Sequence, residues 1–296
     1  MMKRWEGCIM ILLWLASCQS GQGPLESHLA YQLPKETTGP QLFASGLIRT
    51  NNGICFTNDG YTIIVSLPTE RKFSNGKAIM ALLPYDYKDG NWQKGTLAGL
   101  DHGIDAYHPV LNTGNDTLFF NSRYDPEAPD TARPHDIWYS VKQENIWGYP
   151  KPLGEINSTA YDSYPSVARN GNLYFNSDRE GGKGGMDIYV SEYKNGTYLL
   201  PKPLTSINSV EVENDLVVDP QERFIIFNRY ITSSNSIDLY ISHNLDGKWS
   251  NPEPLNTVNK SDQWELTPTL TPDGKYFFYE LEGQIWQIRI SELINI

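Results

Sequence analysis

A unit of about fifty residues, repeated five times, constrains this chain more than any other feature of its sequence. Its clearest copy is residues 163–191, SYPSVARNGNLYFNSDREGGKGGMDIYVS. Three short strands are predicted there, over 163–168, 173–177 and 187–191. Asn170-Gly171 turns the chain between the first two, and a Gly-rich loop separates the last two. The equivalent turn pairs are Asp59-Gly60, Asn115-Asp116, Glu222-Arg223 and Asp273-Gly274, so the second residues of the five turns are spaced 56, 55, 52 and 51 apart. An apolar strand comes after each turn: YTIIVS, TLFFNS, NLYFNS, FIIFNR and KYFFYE. Third strands begin at Ala78, Asp136, Asp187, Asp238 and Gln284. In the first four units a tight turn and a fourth strand come next, carrying Trp92, Trp147, Tyr198 and Trp249. Asp89-Gly90, Asn195-Gly196 and Asp246-Gly247 are the dipeptides that supply the positive φ angles of such hairpins.

Four short strands per unit are the signature of a propeller blade. The second strands are apolar at consecutive positions, as strands buried on both faces are. An open sandwich also gives short strands at regular spacing, but it has no reason to repeat one four-strand pattern five times. The expected fold is therefore all-β, a single β-propeller of four-stranded blades.

The motifs NSDREGGKGGMDIYVS and TPDGKYFFYE resemble the WD40-like (PD40, TolB-type) β-propeller repeats of bacterial envelope proteins. Those repeats carry a strand, SPDG, a YF strand, SDR, a Gly-rich loop and DIY. The similarity runs from about Phe43 to the C-terminus, is strongest in the third unit, and is weakest in the first, which lacks SDR and DIY. It implies a fold and no single activity, because propellers host many functions.

The fifth unit has no fourth strand of its own before the chain stops at Ile296. Residues 42–50, LFASGLIRT, supply one from the other end of the chain. Five blades are expected, with this N-terminal strand completing the last and removing an open sheet edge.

Ahead of the propeller, Lys3 and Arg4 precede an apolar run over 8–16 that is too short to span a bilayer as a stable helix. It suits a signal peptide over 1–17. Leu15-Ala16-Ser17-Cys18 resembles the bacterial lipoprotein box, which implies cleavage before Cys18 and acylation of it. Several acyl chains are enough for stable membrane attachment. Gln19 at the next position implies sorting to the outer membrane, with the leaflet left open. Residues 18–40, rich in Gly, Pro, Ser and Thr from Ser20 onward, are expected to form a flexible tether, and 41–296 the propeller.

One cysteine, Cys55, remains beyond the anchor, so disulfides within the chain are excluded and burial must stabilise the fold. The formal charge of −11 argues against nucleic acid as a partner and favours cationic ones.

Acidic residues stand just before the innermost strands: Asp105, Asp162, Asp215 and Glu265. Arg123, Arg179 and Arg229 come after the second strands. These residues are expected at one end of the central channel, either as a charged ring that binds a ligand or as Arg–carboxylate pairs fastening neighbouring blades. The second reading is favoured, because a feature that recurs in several blades serves the repeat. Residues 124–135, YDPEAPDTARPH, form the most distinctive insertion and carry Asp125, Glu127 and His135; they are the candidate specificity loop. Lys183 in the loop 181–185 precedes Gly184-Gly185 and a strand, not the Ser/Thr and helix of a P-loop.

No catalytic motif stands out. There is no G-x-S-x-G elbow, no His-x-x-x-His pair and no Cys/His cluster, so no cofactor or metal is expected. The reading that results is a non-catalytic envelope lipoprotein whose propeller binds another envelope protein or a peptidoglycan or glycan polymer. The alternative is a glycan-active hydrolase using Asp105, Asp162 and Asp215 across the channel.

Overall fold

The computed structural model describes residues 30–44, 52–96, 99, 103–132, 134–260 and 263–294. The chain is a five-bladed propeller. Each blade is a twisted antiparallel sheet entered at its innermost strand, and the first four are left at their outermost. The first blade runs Ile54–Phe56, Thr62–Lys72, Ala78–Lys88, Asn91–Lys94. Innermost strands of the next four are Tyr107–Leu111, Asp162–Val167, Val212–Val218 and Glu265–Leu270. The ring closes as the two chain ends require: Gln41–Leu42 pairs with Gln284–Arg289, setting Gln41 opposite Gln287 and Leu42 opposite Trp286. The N-terminal strand thus completes the fifth blade. It begins at Gln41, one residue earlier than expected, and residues 45–50 of the expected strand lie outside the described residues.

Five apolar clusters fill the five blade interfaces. Ile64, Leu118, Phe120 and Trp138 join the first two blades, and Ile188, Ile225 and Phe227 join the third and fourth. The seam between the last and first blades packs Phe43, Phe56, Phe278 and Trp92, with edge-to-face contacts at 5.1 Å (Phe43–Phe278) and 5.7 Å (Phe43–Trp92). This explains the unbroken apolar runs of the second strands. Alternate residues of a strand face opposite neighbouring blades, so neither face meets water.

In the second, third and fourth blades the outermost strand is split. A two-residue hairpin arm carrying Trp147, Tyr198 or Trp249 leads, beyond a proline, into a second short arm: Lys151–Pro152, Lys202–Pro203 and Glu253–Pro254. Proline has no N–H to give the ladder, so the strand breaks there and resumes. The next turn is stapled by an asparagine. Asn157, Asn208 and Asn259 each accept from and donate to one backbone residue of the third strand, at 2.9–3.0 Å (Ile137, Ile188, Leu239).

Residues 30–40 correct the expected extent of the tether, because they are fixed to the propeller. Tyr31 is buried against Phe56 and Tyr276. Arg289 donates to the carbonyls of Leu33, Pro34 and Thr37, and Gly39 N–H donates to Glu292 Oε2 at 2.7 Å. Gly, Pro and Thr content hid a segment whose aromatic residue and carbonyls had partners from the far end of the chain.

Candidate functional site in the central channel

Three layers of the channel can be traced from one mouth to the other. The first is the loop-side mouth, where the innermost strands begin and the Arg–carboxylate pairs form. Arg123 grips Asp105 with two nitrogens, Nε to Oδ2 at 2.9 Å and Nη2 to Oδ1 at 2.8 Å. Its Nη2 also reaches the Ala78 carbonyl, and Asp105 Oδ1 accepts from Met80 N–H, both in the first blade. Arg179 pairs with Asp162 and donates to the Ile156 carbonyl at 2.8 Å. Arg229 Nε donates to Glu213 at 2.7 Å, and its Nη2 to the Ile207 carbonyl at 3.0 Å. Each arginine therefore ties its own innermost strand to backbone that belongs to, or has just left, the preceding blade. Asp105, Asp162 and Glu213 are fully buried in these pairs.

One residue expected in that ring belongs elsewhere. Glu213, not Asp215, is the fourth blade's partner for arginine, because the innermost strand carries a bulge that shifts its register between Asn214 and Leu216. Glu265 keeps the ring position in the fifth blade, but Leu281 stands where an arginine would close on it. Its Oε1 accepts from Lys260 N–H at 2.9 Å and its Oε2 is unpaired, so burial raises its carboxyl to about 7.

The candidate specificity loop folds onto its neighbours. Asp125 Oδ1 accepts from Glu127 N–H at 3.0 Å, and the Asp130 carbonyl accepts from Ser74 N–H in the first blade at 2.7 Å. Glu127 is exposed. His135 stands edge-on between Tyr107 and Tyr161, and burial with the Arg123 charge lowers it to about 4. Arg133 lies outside the described residues. In the Gly-rich loop, Asp187 Oδ2 accepts from the N–H groups of Lys183 and Gly184 at 2.7 and 3.1 Å. A Cβ on Gly184 would lie 2.0 Å from the Glu211 carbonyl oxygen, so these glycines serve close packing against the next blade.

The second layer is a neck built by a ring that sequence reading missed. Gly53, His108, Tyr164, Asp215 and Thr267 occupy equivalent places on the five innermost strands. All five have left-handed backbone, with φ of 69°, 51°, 54°, 35° and 50°. In the last four blades the register of the strand pair shifts at that point. Such a bulge re-aims a side chain, and left-handed φ at a histidine, a tyrosine or a threonine costs energy that the surrounding fold must hold in place. The only shared sequence signal is the next residue, a proline in three of the five: Pro109, Pro165 and Pro268. The neck encloses about 30 Å³. Asp215 Oδ2 accepts from Asn228 Nδ2 at 3.0 Å and Thr267 N–H at 3.3 Å. Its Oδ1 is buried and unpaired, 3.9 Å from His108 Nε2. Burial raises Asp215 to about 6 and lowers His108 to about 3. At neutral pH the neck thus holds an ionised carboxylate beside a neutral imidazole.

Behind the neck stands a second ring, Asn121, Asn176, Asn228 and Glu280. Two of its members tie one blade to the next: Asn121 Oδ1 accepts from Tyr164 N–H, and Asn176 Nδ2 donates to the Glu213 carbonyl, both at 2.9 Å. Glu280 replaces the asparagine in the fifth blade and leaves Oε2 unpaired; burial, reinforced by the Asp215 charge, raises it to about 8. The symmetry of the repeat is broken at Asp215 and Glu280, and the Asp215 charge opposes ionisation of Glu280.

The third layer is a cup of about 410 Å³ at the opposite mouth, where innermost strands turn into second strands. Ile54, Val110, Val167 and Leu216 give it apolar walls, with Asn58, Arg169 and Asp273 at the rim. Cys55 lines it with a thiol that burial pushes up to about 12; its Sγ accepts from Leu111 N–H at 3.2 Å. The cup and the neck adjoin, sharing Ile54, Pro109, Val110, Leu216, Pro268 and Thr269. Among the described residues no three His, Cys, Asp or Glu side chains are grouped to hold a metal ion.

No protein-family model matches the sequence, and no curated protein matches it. Solved structures match in fold. An alpha-L-arabinofuranosidase from Lactobacillus brevis superimposes with a TM-score of 0.51 at 16% identity, over 81% of this chain and 86% of that one. Hydrazine synthase from Kuenenia stuttgartiensis gives 0.51 at 13%, over 81% of this chain and 37% of that one. TolB from Acinetobacter baumannii gives 0.49 at 14%, over 80% of this chain; the chain spans 53% of that TolB. Likeness at these identities shows the fold alone.

Proposed function

We propose that the protein is a non-catalytic binding platform of the cell envelope, anchored in the outer membrane by lipid on Cys18, whose propeller engages an envelope protein. The observation that carries this reading is the state of the channel carboxylates. Asp105 and Asp162 are locked in arginine pairs that hold blades together. Asp215 lies in a neck of about 30 Å³. Ligand pockets run to roughly 300–1,000 Å³, so the neck is too small to hold a sugar ring beside that carboxylate. A glycosidase needs two carboxyl groups open to the scissile bond from opposite sides. Glu280 has the raised carboxyl of a general acid, but it is buried and absent from the lining of both the cup and the neck. The cup has the size of a binding pocket and walls suited to recognition, with no carboxylate pair inside it.

Purified protein is expected to release no product from glycan substrates, and Asp162→Asn to lower stability only. Turnover by the wild type that Asp162→Asn or Asp215→Asn abolishes would establish the hydrolase instead. For the anchor, Cys18→Ser is expected to free the protein from membranes; retention after washing would refute the lipid.

A further inference from the structure

The geometry points to a lysine-binding site: the cup and neck together accept one lysine side chain of a partner protein, its methylene stem in the cup and its ammonium against Asp215 Oδ1. This rests on the platform reading and names the chemistry of its partner. Three observations meet here. Asp215 is only 7% exposed, and its Oδ1 has no hydrogen-bond partner, which is costly for a charged oxygen unless something supplies a donor. The space beside it is small, about 30 Å³, enough for one small polar head group such as an ammonium. The way in runs along apolar walls, the surface that a (CH₂)₄ stem covers while its head stays polar.

Competing occupants fit less well. A guanidinium is a rigid planar fork of five N–H donors, and the neck offers it one unpaired carboxylate oxygen, so arginine is disfavoured. A metal ion would want several grouped ligands, and the described residues offer no such group. A neutral chain would leave the Asp215 oxygen as it is. His108, neutral beside the carboxylate, does not compete for it with a charge of its own. The formal charge of −11 would speed encounter with a basic partner surface.

The test uses the full-length protein and two probes, N-acetyl-lysine-methylamide and its uncharged counterpart N-acetyl-norleucine-methylamide, titrated by NMR. The wild type is expected to bind the lysine probe at least ~10-fold more tightly than the norleucine probe, about 1.4 kcal/mol at that ratio. Asp215→Asn is expected to erase the difference, and Glu253→Gln, exposed on the outer arm of the fourth blade, to leave it unchanged. Equal affinity for the two probes in the wild type, no binding of either, or a preference that survives Asp215→Asn would overturn the site. The wild-type comparison needs no variant, so misfolding of Asp215→Asn cannot mask the result. Capture of an envelope partner by a wild type that shows no lysine preference would sink the lysine site and leave the platform reading standing.

Discussion

Replacing Asp215 by asparagine is expected to stabilise the protein at neutral pH, although it removes a charge from the middle of the molecule. Burial holds this carboxyl at about 6, raised from an ordinary 3.8. Between those two values the folded protein keeps a proton that the unfolded chain has released. Stability from this group is therefore present below about 4, falls as pH rises through the window, and is lost above about 6. Two units at 1.36 kcal/mol each give ~3 kcal/mol of destabilisation at pH 7.5. Asparagine keeps an oxygen for Asn228 and Thr267 and puts a neutral amide where the unpaired oxygen was. Allowing for imperfect pairing of that amide, Asp215→Asn should gain ~2 kcal/mol at pH 7.5, or ~4–8 °C in Tm for a chain of this size. The gain should shrink to nothing by pH 4. Thermal or urea unfolding monitored by tryptophan fluorescence at both pH values measures it. A variant less stable than the wild type at pH 7.5, or a gain that persists at pH 4, would refute the account of the neck.

Other consequences can be checked in the same assay. Arg229→Ala leaves Glu213 buried without its partner and should cost ~3–5 kcal/mol, with Arg229→Ala/Glu213→Gln recovering part of it. Asn208→Ala removes both bonds to Ile188 and should cost about 1–3 kcal/mol, since the buried Ile188 N–H loses its partner while the carbonyl keeps the Leu204 N–H. Gly184→Ala drives a methyl group into the Glu211 carbonyl and should cost ~1–3 kcal/mol. Gly154→Ala, where a Cβ meets nothing within 4 Å, should stay within about 0.5 kcal/mol of the wild type.

Local chemistry made the blades legible in sequence. Asp-Gly and Asn-Gly turns, apolar second strands and Trp-bearing fourth strands are each fixed by residues close together in the chain, and the pairing of its two ends came from a fifth unit one strand short. The Arg–carboxylate pairs were legible for the same reason, in two blades out of three. In the third, Glu213 and Asp215 stand two residues apart on one strand, and alternation alone puts both on the same face. Only the bulge after Asn214 separates their roles. The neck was not legible, because each blade contributes one residue of a different type, and a ring of Gly53, His108, Tyr164, Asp215 and Thr267 has no common chemistry to align. Nor was the cup, whose walls come from all five innermost strands and the turns after them, each unremarkable in its own copy. The docking of Tyr31 was hidden by the composition around it.

The central claim is that this propeller binds and does not catalyse. A crosslinked pull-down of the tagged, lipidated protein from its own envelope, read by mass spectrometry, tests it most directly. The account predicts a stoichiometric protein partner that survives detergent and presents a lysine to the cup. Recovery with glycan or muropeptide alone, together with turnover of that material, would contradict it.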